Sequence, residues 1–198
     1  MGKLIYIYGT MGSAKTANAL MRYFELKNRE LGVLLLKPAI DDRDGAGIVK
    51  SRIGLEEKAL TFTKEDNLRG LANVKGISSI ILDECQFCTE EQINLLKELS
   101  VKTNLTIYCY GLKTDFTSHL FEGSKRLLEI ADEVKELEMT CAKCGARAEV
   151  NARVDLESNI LKDGEQIEIG GNEKYVPLCY KCWSMKKFKR EPQKSQSL

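Results

Sequence analysis

The chain has 198 residues, with 30 lysines and arginines against 29 aspartates and glutamates, and its formal net charge is +1. This length suits one domain of ordinary size, or a domain with a small second module. A hydrophobic content of 43% is enough for a packed core and excludes wholesale disorder. The near-neutral charge argues against a protein whose main task is to bind nucleic acid.

Membrane and secretory signals are not expected in this sequence. The chain contains no run of 18 apolar residues, and the apolar run near its start, residues 4–8, is too short for a signal peptide. We therefore expect a cytoplasmic protein without a membrane partner. In that reducing compartment its seven cysteines are metal ligands or buried thiols rather than disulfides.

Predicted strands and helices alternate along the first part of the chain. Apolar runs predict buried strands at residues 4–8, 33–36, 77–82 and 105–110. Helical spacing of apolar residues predicts a helix over residues 14–31, and Thr89 is placed to cap a second helix over roughly residues 90–100. The alternation predicts an α/β fold with a mostly parallel sheet, whose chemistry lies at the carboxyl ends of the strands.

A phosphate-binding motif follows the first predicted strand. The segment matches G-x-x-x-x-G-K-[ST], except that Ala14 stands at the second glycine position. In such a loop Lys15 reaches the β- and γ-phosphates and Thr16 offers a hydroxyl to Mg²⁺. Alanine is tolerated at position 14 if its φ is negative and is costly if its φ is positive. A plain strand-to-helix turn with a chance lysine remains the alternative. The expected ATP-binding residues here are Gly9, Thr10, Met11, Gly12, Ser13, Ala14, Lys15 and Thr16.

Two carboxylates end the strand predicted at residues 77–82. In phosphate-loop proteins an aspartate at such a strand end helps to hold Mg²⁺, which is the role predicted for Asp83. Glu84 is then free to act as a base on a substrate hydroxyl or on water. The alternative is that both residues merely lead into a polar loop.

Two C-x-x-C pairs lie in the last third of the chain. Four thiolates from two such pairs form a closed tetrahedral site, which suits structural zinc and leaves no open position for catalysis. A redox pair is the alternative, although the surrounding sequence is not thioredoxin-like. The predicted metal ligands are Cys141, Cys144, Cys179 and Cys182.

Six segments, in this order, resemble the type II (cytosolic, zinc-containing) thymidine kinases. They are residues 9–16, 37–43, 83–87, 111–116 and 169–175 and the four paired cysteines, and the resemblance runs through residues 3–183. It implies a P-loop (RecA-like) fold with helices on both faces of the sheet and a small zinc-binding lasso. The implied reaction is transfer of the γ-phosphate of ATP to the 5′-hydroxyl of thymidine, which gives dTMP.

The resemblance also implies roles for individual residues. Glu84 matches the general base, and Lys15 and Arg43 match the other catalytic positions. Asp41, Asp83 and Gln86 join the positions around ATP and Mg²⁺. The implied nucleoside-binding residues are Met11, Phe87, Leu112, Phe116, Phe121, Ile169, Gly170, Gly171 and Tyr175.

We expect three parts: an ATP-binding domain over residues 1–139, a zinc lasso over 140–188 that closes over the nucleoside, and a flexible tail over 189–198. The resemblance further implies a homotetramer, feedback inhibition by dTTP and no nucleic-acid partner. Two other functions remain open. One is a P-loop NTPase whose zinc ribbon binds nucleic acid; the other is a nucleotide sensor in which Ala14 has abolished turnover.

Overall fold

The structure is a computed structural model that describes residues 2–73, 75–166, 174–185 and 187. The expected tail over residues 189–198 lies outside these residues. The strands are β1 (Lys3–Tyr8), β2 (Gly32–Pro38), β3 (Ile48–Lys50), β4 (Glu56–Lys58), β5 (Leu60–Phe62), β6 (Ile77–Leu82), β7 (Thr106–Gly111), β8 (Glu133–Glu136), β9 (Val150–Val154), β10 (Ile160–Leu161) and β11 (Tyr175–Leu178). The α-helices are α1 (Lys15–Asn28), α2 (Glu90–Thr103), α3 (Glu122–Ile130) and the short α4 (Tyr180–Trp183), with 3-10 turns at Leu68–Asn73 and Cys85–Phe87.

A six-stranded sheet forms the larger part of the molecule, in the order β5-β2-β6-β7-β1-β8. Every neighbouring pair in it runs parallel. All four strands predicted from apolar runs belong to this sheet. The prediction of an α/β fold with a mostly parallel sheet is therefore confirmed.

The helices cover both faces of the sheet because side chains alternate along each buried strand. Leu4 and Tyr6 of β1 pack with the apolar faces of α2 and α3. Ile5 and Ile7, on the opposite face, pack with α1. Burial on both faces explains why these strands have continuous apolar sequences.

Helix α2 begins where the sequence predicts, because Thr89 caps it. The Thr89 hydroxyl accepts from the Gln92 N–H, and the Gln92 side chain accepts from the Thr89 N–H, which is a capping box. Helix α1 is shorter than predicted and ends at Asn28 rather than at residue 31. Residues 29–31 instead form a turn in which Glu30 has a φ of +56°.

A smaller three-stranded antiparallel sheet, in the order β10-β9-β11, follows the main sheet in sequence. Its core includes Ala152, Ile160 and Leu178 together with three of the paired cysteines. We call this sheet, the cysteines and α4 the cysteine module. Among the described helices of the whole chain, none combines the length and the apolar character needed to cross a membrane.

Candidate active site

The loop between β1 and α1 carries the predicted phosphate-binding motif and has two residues with positive φ. Gly12 has a φ of +88°, and Ala14, which precedes the first residue of α1, has a φ of +58°. The Ala14 backbone is therefore in the left-handed region that disfavours any residue with a Cβ. The buried hydroxyl oxygens of Thr10 and Ser13 have no hydrogen-bond partner among the described residues. Because an unpaired buried polar group is costly, these hydroxyls fit a loop built to meet a polar ligand.

Lys15 lies beneath this loop. Its buried ammonium donates to the carbonyl oxygens of Gly9 (3.0 Å) and Thr10 (2.8 Å). Burial lowers the pKa of Lys15 to about 8, and the nearby charges of Glu84 and Asp83 oppose this shift. The ammonium is thus held at the phosphate loop by backbone groups.

Asp83 lies at the carboxyl end of β6 and is buried. Burial and the like charge of Glu84 raise the pKa of Asp83 to about 7, while a hydrogen bond from the Thr16 hydroxyl and the charge of Lys15 lower it. A nearby cation would stabilise the ionised form of a carboxylate in this environment. Thr16 and Asp83 therefore provide an oxygen donor set that suits Mg²⁺.

Glu84 is held by an arginine that joins two carboxylates. Arg43 Nη2 donates to Glu84 Oε1 (2.7 Å), and Arg43 Nε donates to Asp41 Oδ1 (2.5 Å). Burial alone would raise the pKa of Asp41, but the hydrogen bond and charge of Arg43 and the charge of Lys37 hold that pKa below its usual value. Lys37 Nζ lies 3.3 Å from Asp41 Oδ2 and donates to the Ile48 carbonyl oxygen (2.7 Å). Asp41 thus anchors the guanidinium of Arg43, and Arg43 in turn contacts the carboxylate of Glu84.

Gln86 fixes the other oxygen of Glu84. Its amide nitrogen donates to Glu84 Oε2 (2.5 Å), and its amide oxygen accepts from the Leu112 N–H (3.0 Å). The Glu84 backbone itself is strained, with a φ of +54°. Gln86, expected near ATP and Mg²⁺, therefore contacts the carboxylate of Glu84 and the loop that follows β7.

A cleft opens beside Glu84 and Arg43, with about 580 Å³ of unfilled space that includes some open to solvent. It joins the predicted catalytic carboxylate to most of the predicted nucleoside-binding positions. Ile169, Gly170 and Gly171 lie outside the described residues. The cleft is lined by Met11, Asp41, Arg43, Glu84, Gln86, Phe87, Leu112, Thr114, Asp115, Phe116, Phe121, Asn151, Gln166 and Tyr175.

Aromatic rings form one side of this cleft. The rings of Phe87 and Phe121 meet edge to face with centroids 6.1 Å apart. Phe116 is almost completely buried, and its ring lies against the guanidinium of Arg153, 3.8 Å from ring centroid to Cζ. Flat apolar walls with polar groups at one end suit a planar heterocycle that carries a polar substituent.

Sequence reasoning missed several polar residues around the cleft. Asn151 accepts from the Met11 N–H (2.6 Å) and donates to the Thr114 carbonyl oxygen (3.1 Å), so that it joins the phosphate loop to the cysteine module. Gln166 donates to Asp115 Oδ2 (2.9 Å). The available signal was the alternation in β9, where polar Asn151 and Arg153 stand between apolar residues and therefore share one face.

The four paired cysteines come together as predicted. Their sulfur atoms all lie within 4.8 Å of one another, and the sulfurs of Cys144 and Cys179 are 3.7 Å apart. A tetrahedral zinc site with Zn–S distances of about 2.3 Å places its sulfurs about 3.8 Å apart. The cluster could therefore hold a metal ion, and its donor set fits zinc.

The cysteine module also contacts the cleft through Trp183, which follows the last cysteine. The indole N–H of Trp183 donates to the Phe116 carbonyl oxygen (3.1 Å). Lys162 lies over the Trp183 ring, with its nitrogen 3.1 Å from the centroid. The backbone of Phe116, which lines the cleft, is therefore hydrogen-bonded to the residue that follows Cys182.

Comparison with known proteins gives a consistent result along the chain. A sequence model of the thymidine kinase family matches residues 2–183. A thymidine kinase of Mannheimia succiniciproducens is 42% identical over 184 residues, covering 90% of this chain and 93% of that protein. A thymidine kinase of Zymomonas mobilis is 40% identical over 183 residues, covering 90% and 94%. One from Rhizobium meliloti is 39% identical over 189 residues, covering 92% and 96%.

Proposed function

The chain belongs to the thymidine kinase family, and from this premise we propose that it transfers the γ-phosphate of ATP to the 5′-hydroxyl of thymidine, giving dTMP and ADP. The observation that supports this most strongly is the single cleft that joins Glu84 and Arg43 to the aromatic rings of Phe87, Phe116 and Phe121. A base pocket and a carboxylate in one cleft suit an alcohol acceptor that carries a planar base.

In the proposed reaction Glu84 accepts the proton of the 5′-hydroxyl as that oxygen attacks the γ-phosphorus. The new O–P bond forms while the bond from the γ-phosphorus to the bridging β,γ-oxygen breaks, and the electron pair leaves with ADP. Gln86 keeps Oε2 of Glu84 in place, so that Oε1 faces the acceptor once Arg43 has turned away from it. General-base catalysis of this kind contributes about 10²–10⁴-fold to the rate.

Arg43 and Lys15 stabilise the negative charge on the transferred group. Arg43 is anchored through Nε to Asp41, which leaves Nη2 to move from Glu84 toward a phosphoryl oxygen. Lys15 is held by two carbonyl oxygens and reaches the phosphates from the loop side. Thr16 and Asp83 would hold Mg²⁺, which would neutralise charge on the β- and γ-phosphate oxygens.

We assign the cysteine cluster a structural zinc ion. Its four sulfur ligands complete a tetrahedron and leave no position for substrate. Through Trp183 and Phe116 the cluster stabilises the base side of the cleft. Residues 1–139 then form the ATP-binding part, and residues 140–188 form the lasso that closes over the nucleoside.

Three further proposals follow from the family resemblance. The enzyme is cytoplasmic, where a reducing environment keeps cysteines as thiols or metal ligands. It assembles as a homotetramer. It is inhibited by dTTP, because that molecule combines a thymine base for the cleft with phosphates for the loop at its edge.

A panel of nucleosides with γ-labelled ATP tests the proposed function. We expect thymidine to give a labelled 5′-monophosphate, and deoxycytidine and purine nucleosides to give much less. Release of labelled phosphate without any nucleotide product, or with stimulation by nucleic acid, would contradict the kinase assignment. Size-exclusion chromatography with light scattering and a dTTP titration test the assembly and the inhibition.

A further inference from the structure

Arg153 lies in β9, the central strand of the cysteine module, and is buried. It belongs to none of the sequence motifs described above, and it is not among the residues that line the cleft. Its guanidinium contacts two residues that do line the cleft, Phe116 and Tyr175. An arginine side chain in such a buried position is costly to desolvate, so its contacts indicate what it does there.

The first group of contacts holds Tyr175. This residue pairs with Arg153 across the antiparallel strands β9 and β11. Arg153 Nη2 and Nε donate to the Tyr175 hydroxyl oxygen at 2.8 and 3.1 Å. Two donors of a rigid fork on one oxygen fix the direction of the phenol as well as its distance.

The second group holds Phe116 and the chain beside it. The Arg153 Cζ atom is 3.8 Å from the centroid of the Phe116 ring, which is a close cation–π stack. Arg153 Nη2 also donates to the Glu165 carbonyl oxygen (3.0 Å). At Gly164, where φ is +134°, an added Cβ would lie 3.3 Å from Arg153 Nη1 and 3.7 Å from the Phe116 ring. The absence of a side chain at this position lets the backbone pack against the stack.

We propose that Arg153 is a positioning residue for the nucleoside: it fixes the Phe116 ring and the Tyr175 hydroxyl relative to each other, and so sets the affinity of the base side of the cleft. This inference rests on the proposed function, in which both residues face the nucleoside. Arg153 acts through these two residues and does not contact the reacting atoms. Its replacement should therefore change nucleoside binding and leave the phosphate side unchanged.

A double-mutant cycle with Tyr175 tests the proposal. We expect Arg153→Met to raise the KM for thymidine about tenfold or more, because hydrogen bonds from a charged donor are lost. The KM for ATP should stay within about twofold of the wild-type value. Tyr175→Phe should raise the KM for thymidine in the wild-type background and have little effect in the Arg153→Met background, since the hydroxyl then has no guanidinium to hold it.

Arg153→Lys keeps the charge and much of the aliphatic stem, and it completes the same cycle if Arg153→Met does not fold. It should also raise the KM for thymidine, because an ammonium cannot both stack on Phe116 and present a two-donor fork. Arg147→Met is the matched control, since Arg147 lies between Cys144 and β9 but is exposed and paired with Glu136. Its kinetic constants should equal those of the wild type.

Several results would overturn the proposal. An unchanged KM for thymidine, an equal rise in both KM values, or fully additive effects of the Arg153 and Tyr175 changes would show that Arg153 only supports the fold. The cycle is measured with the nucleoside that the wild type phosphorylates fastest, and calorimetry gives its Kd. A preferred nucleoside other than thymidine would refute the proposed function while the cycle still decides the role of Arg153.

Discussion

At the scale of single residues, Ala14 is the most unusual feature of the phosphate loop. Its φ of +58° is a conformation that favours glycine, and glycine is what the phosphate-binding motif has at this position. The chain therefore carries backbone strain at the start of α1. We predict that Ala14→Gly raises the free energy of unfolding by about 1 kcal/mol, because the strain is relieved. Urea unfolding of the ligand-free protein measures this change.

Ala17→Gly is the control for the Ala14 prediction, because Ala17 is an ordinary buried residue of α1. The same substitution there should lower stability by about 1 kcal/mol or more. If Ala14→Gly also destabilised the protein, the positive φ would not be a source of strain. We further expect Ala14→Gly to lower the KM for ATP, as the loop gains freedom to adjust to phosphate.

The second prediction for a single residue concerns Glu84. Glu84→Gln keeps the shape of the side chain and removes its ability to accept a proton, so kcat should fall by about 10²–10⁴-fold. The Kd of ATP, measured by calorimetry, should change little. Glu129→Gln, on the exposed side of α3, is the control with expected wild-type kinetics. Unchanged turnover in Glu84→Gln would remove this residue from the chemistry.

The raised pKa of Asp83 leads us to predict that the stability of the protein depends on pH. Its pKa is raised from 3.8 to about 7 in the folded protein, so between about pH 4 and pH 7 the folded state binds more protons than the unfolded state. Asp83 therefore lowers stability progressively as the pH rises through this window. Asp83→Asn, which cannot ionise, should become more stable than the wild type by at least ~1 kcal/mol at pH 7.5. The difference should shrink toward pH 4.

Urea unfolding of both proteins without ligand at several pH values tests the Asp83 prediction. Both proteins contain the same cysteine cluster, so its own pH dependence cancels in the difference. A stability difference that does not depend on pH would contradict the raised pKa. The added Mg²⁺·ATP that stabilises the wild type should stabilise Asp83→Asn much less.

At the scale of elements, the buried strands were the most predictable part of the fold. β1, β2, β6 and β7 lie inside the sheet and need apolar side chains on both faces, which makes them visible as apolar runs. β8 has the sequence Glu-Val-Lys-Glu and was missed, because an edge strand with one neighbour can be charged. The short strands β3, β4 and β10 contain too few residues for an alternation of apolar and polar side chains to be recognised.

The residues of the candidate site likewise fall into those that the sequence predicts and those that it does not. Lys15, Glu84 and the cysteines belong to local motifs whose spacing alone predicts their chemistry. Asn151 and Arg153 act through contacts with Met11, Phe116 and Tyr175 that depend on how the cysteine module packs on the main sheet. The alternation in β9 indicates that both residues share a face, but no spacing within the sequence encodes what that face packs against, which is why their contacts were not predicted.

The short helix α4 links the cysteine cluster to the cleft and carries a prediction of its own. Chelation of the proposed zinc ion should weaken thymidine binding more than ATP binding, because Trp183 follows the proposed ligand Cys182 and donates to the Phe116 carbonyl oxygen. Calorimetry of both ligands before and after chelation measures the two Kd values, and metal analysis should give one zinc per chain. Trp183→Phe, with zinc retained, should produce a smaller loss of the same kind.

An equal loss of thymidine and ATP binding on chelation would contradict this link. It would mean that the metal stabilises the whole chain rather than the base side of the cleft. Restoring zinc should recover thymidine binding in the wild type and should leave the Trp183→Phe defect in place.

At the scale of the whole molecule, the cleft is lined by residues of both the main sheet's part of the chain and the cysteine module. The main sheet supplies the phosphate loop, Asp83 and Glu84 at the carboxyl ends of its strands, as parallel α/β sheets generally do. The cysteine module supplies Asn151 and Tyr175 from the other side. The cleft is thus lined by both parts of the chain, which must keep a fixed relation for the proposed phosphate transfer.

The central claim is that Glu84 is the base for a nucleoside 5′-hydroxyl bound in this cleft. A crystal structure of the protein with thymidine and a non-hydrolysable ATP analogue tests it most directly. We predict that the 5′-oxygen lies about 2.6–3.2 Å from a Glu84 carboxylate oxygen, with Arg43 Nη2 turned toward the γ-phosphate. A bound thymidine whose 5′-oxygen points away from Glu84, while Glu84 stays paired with Arg43, would contradict the account.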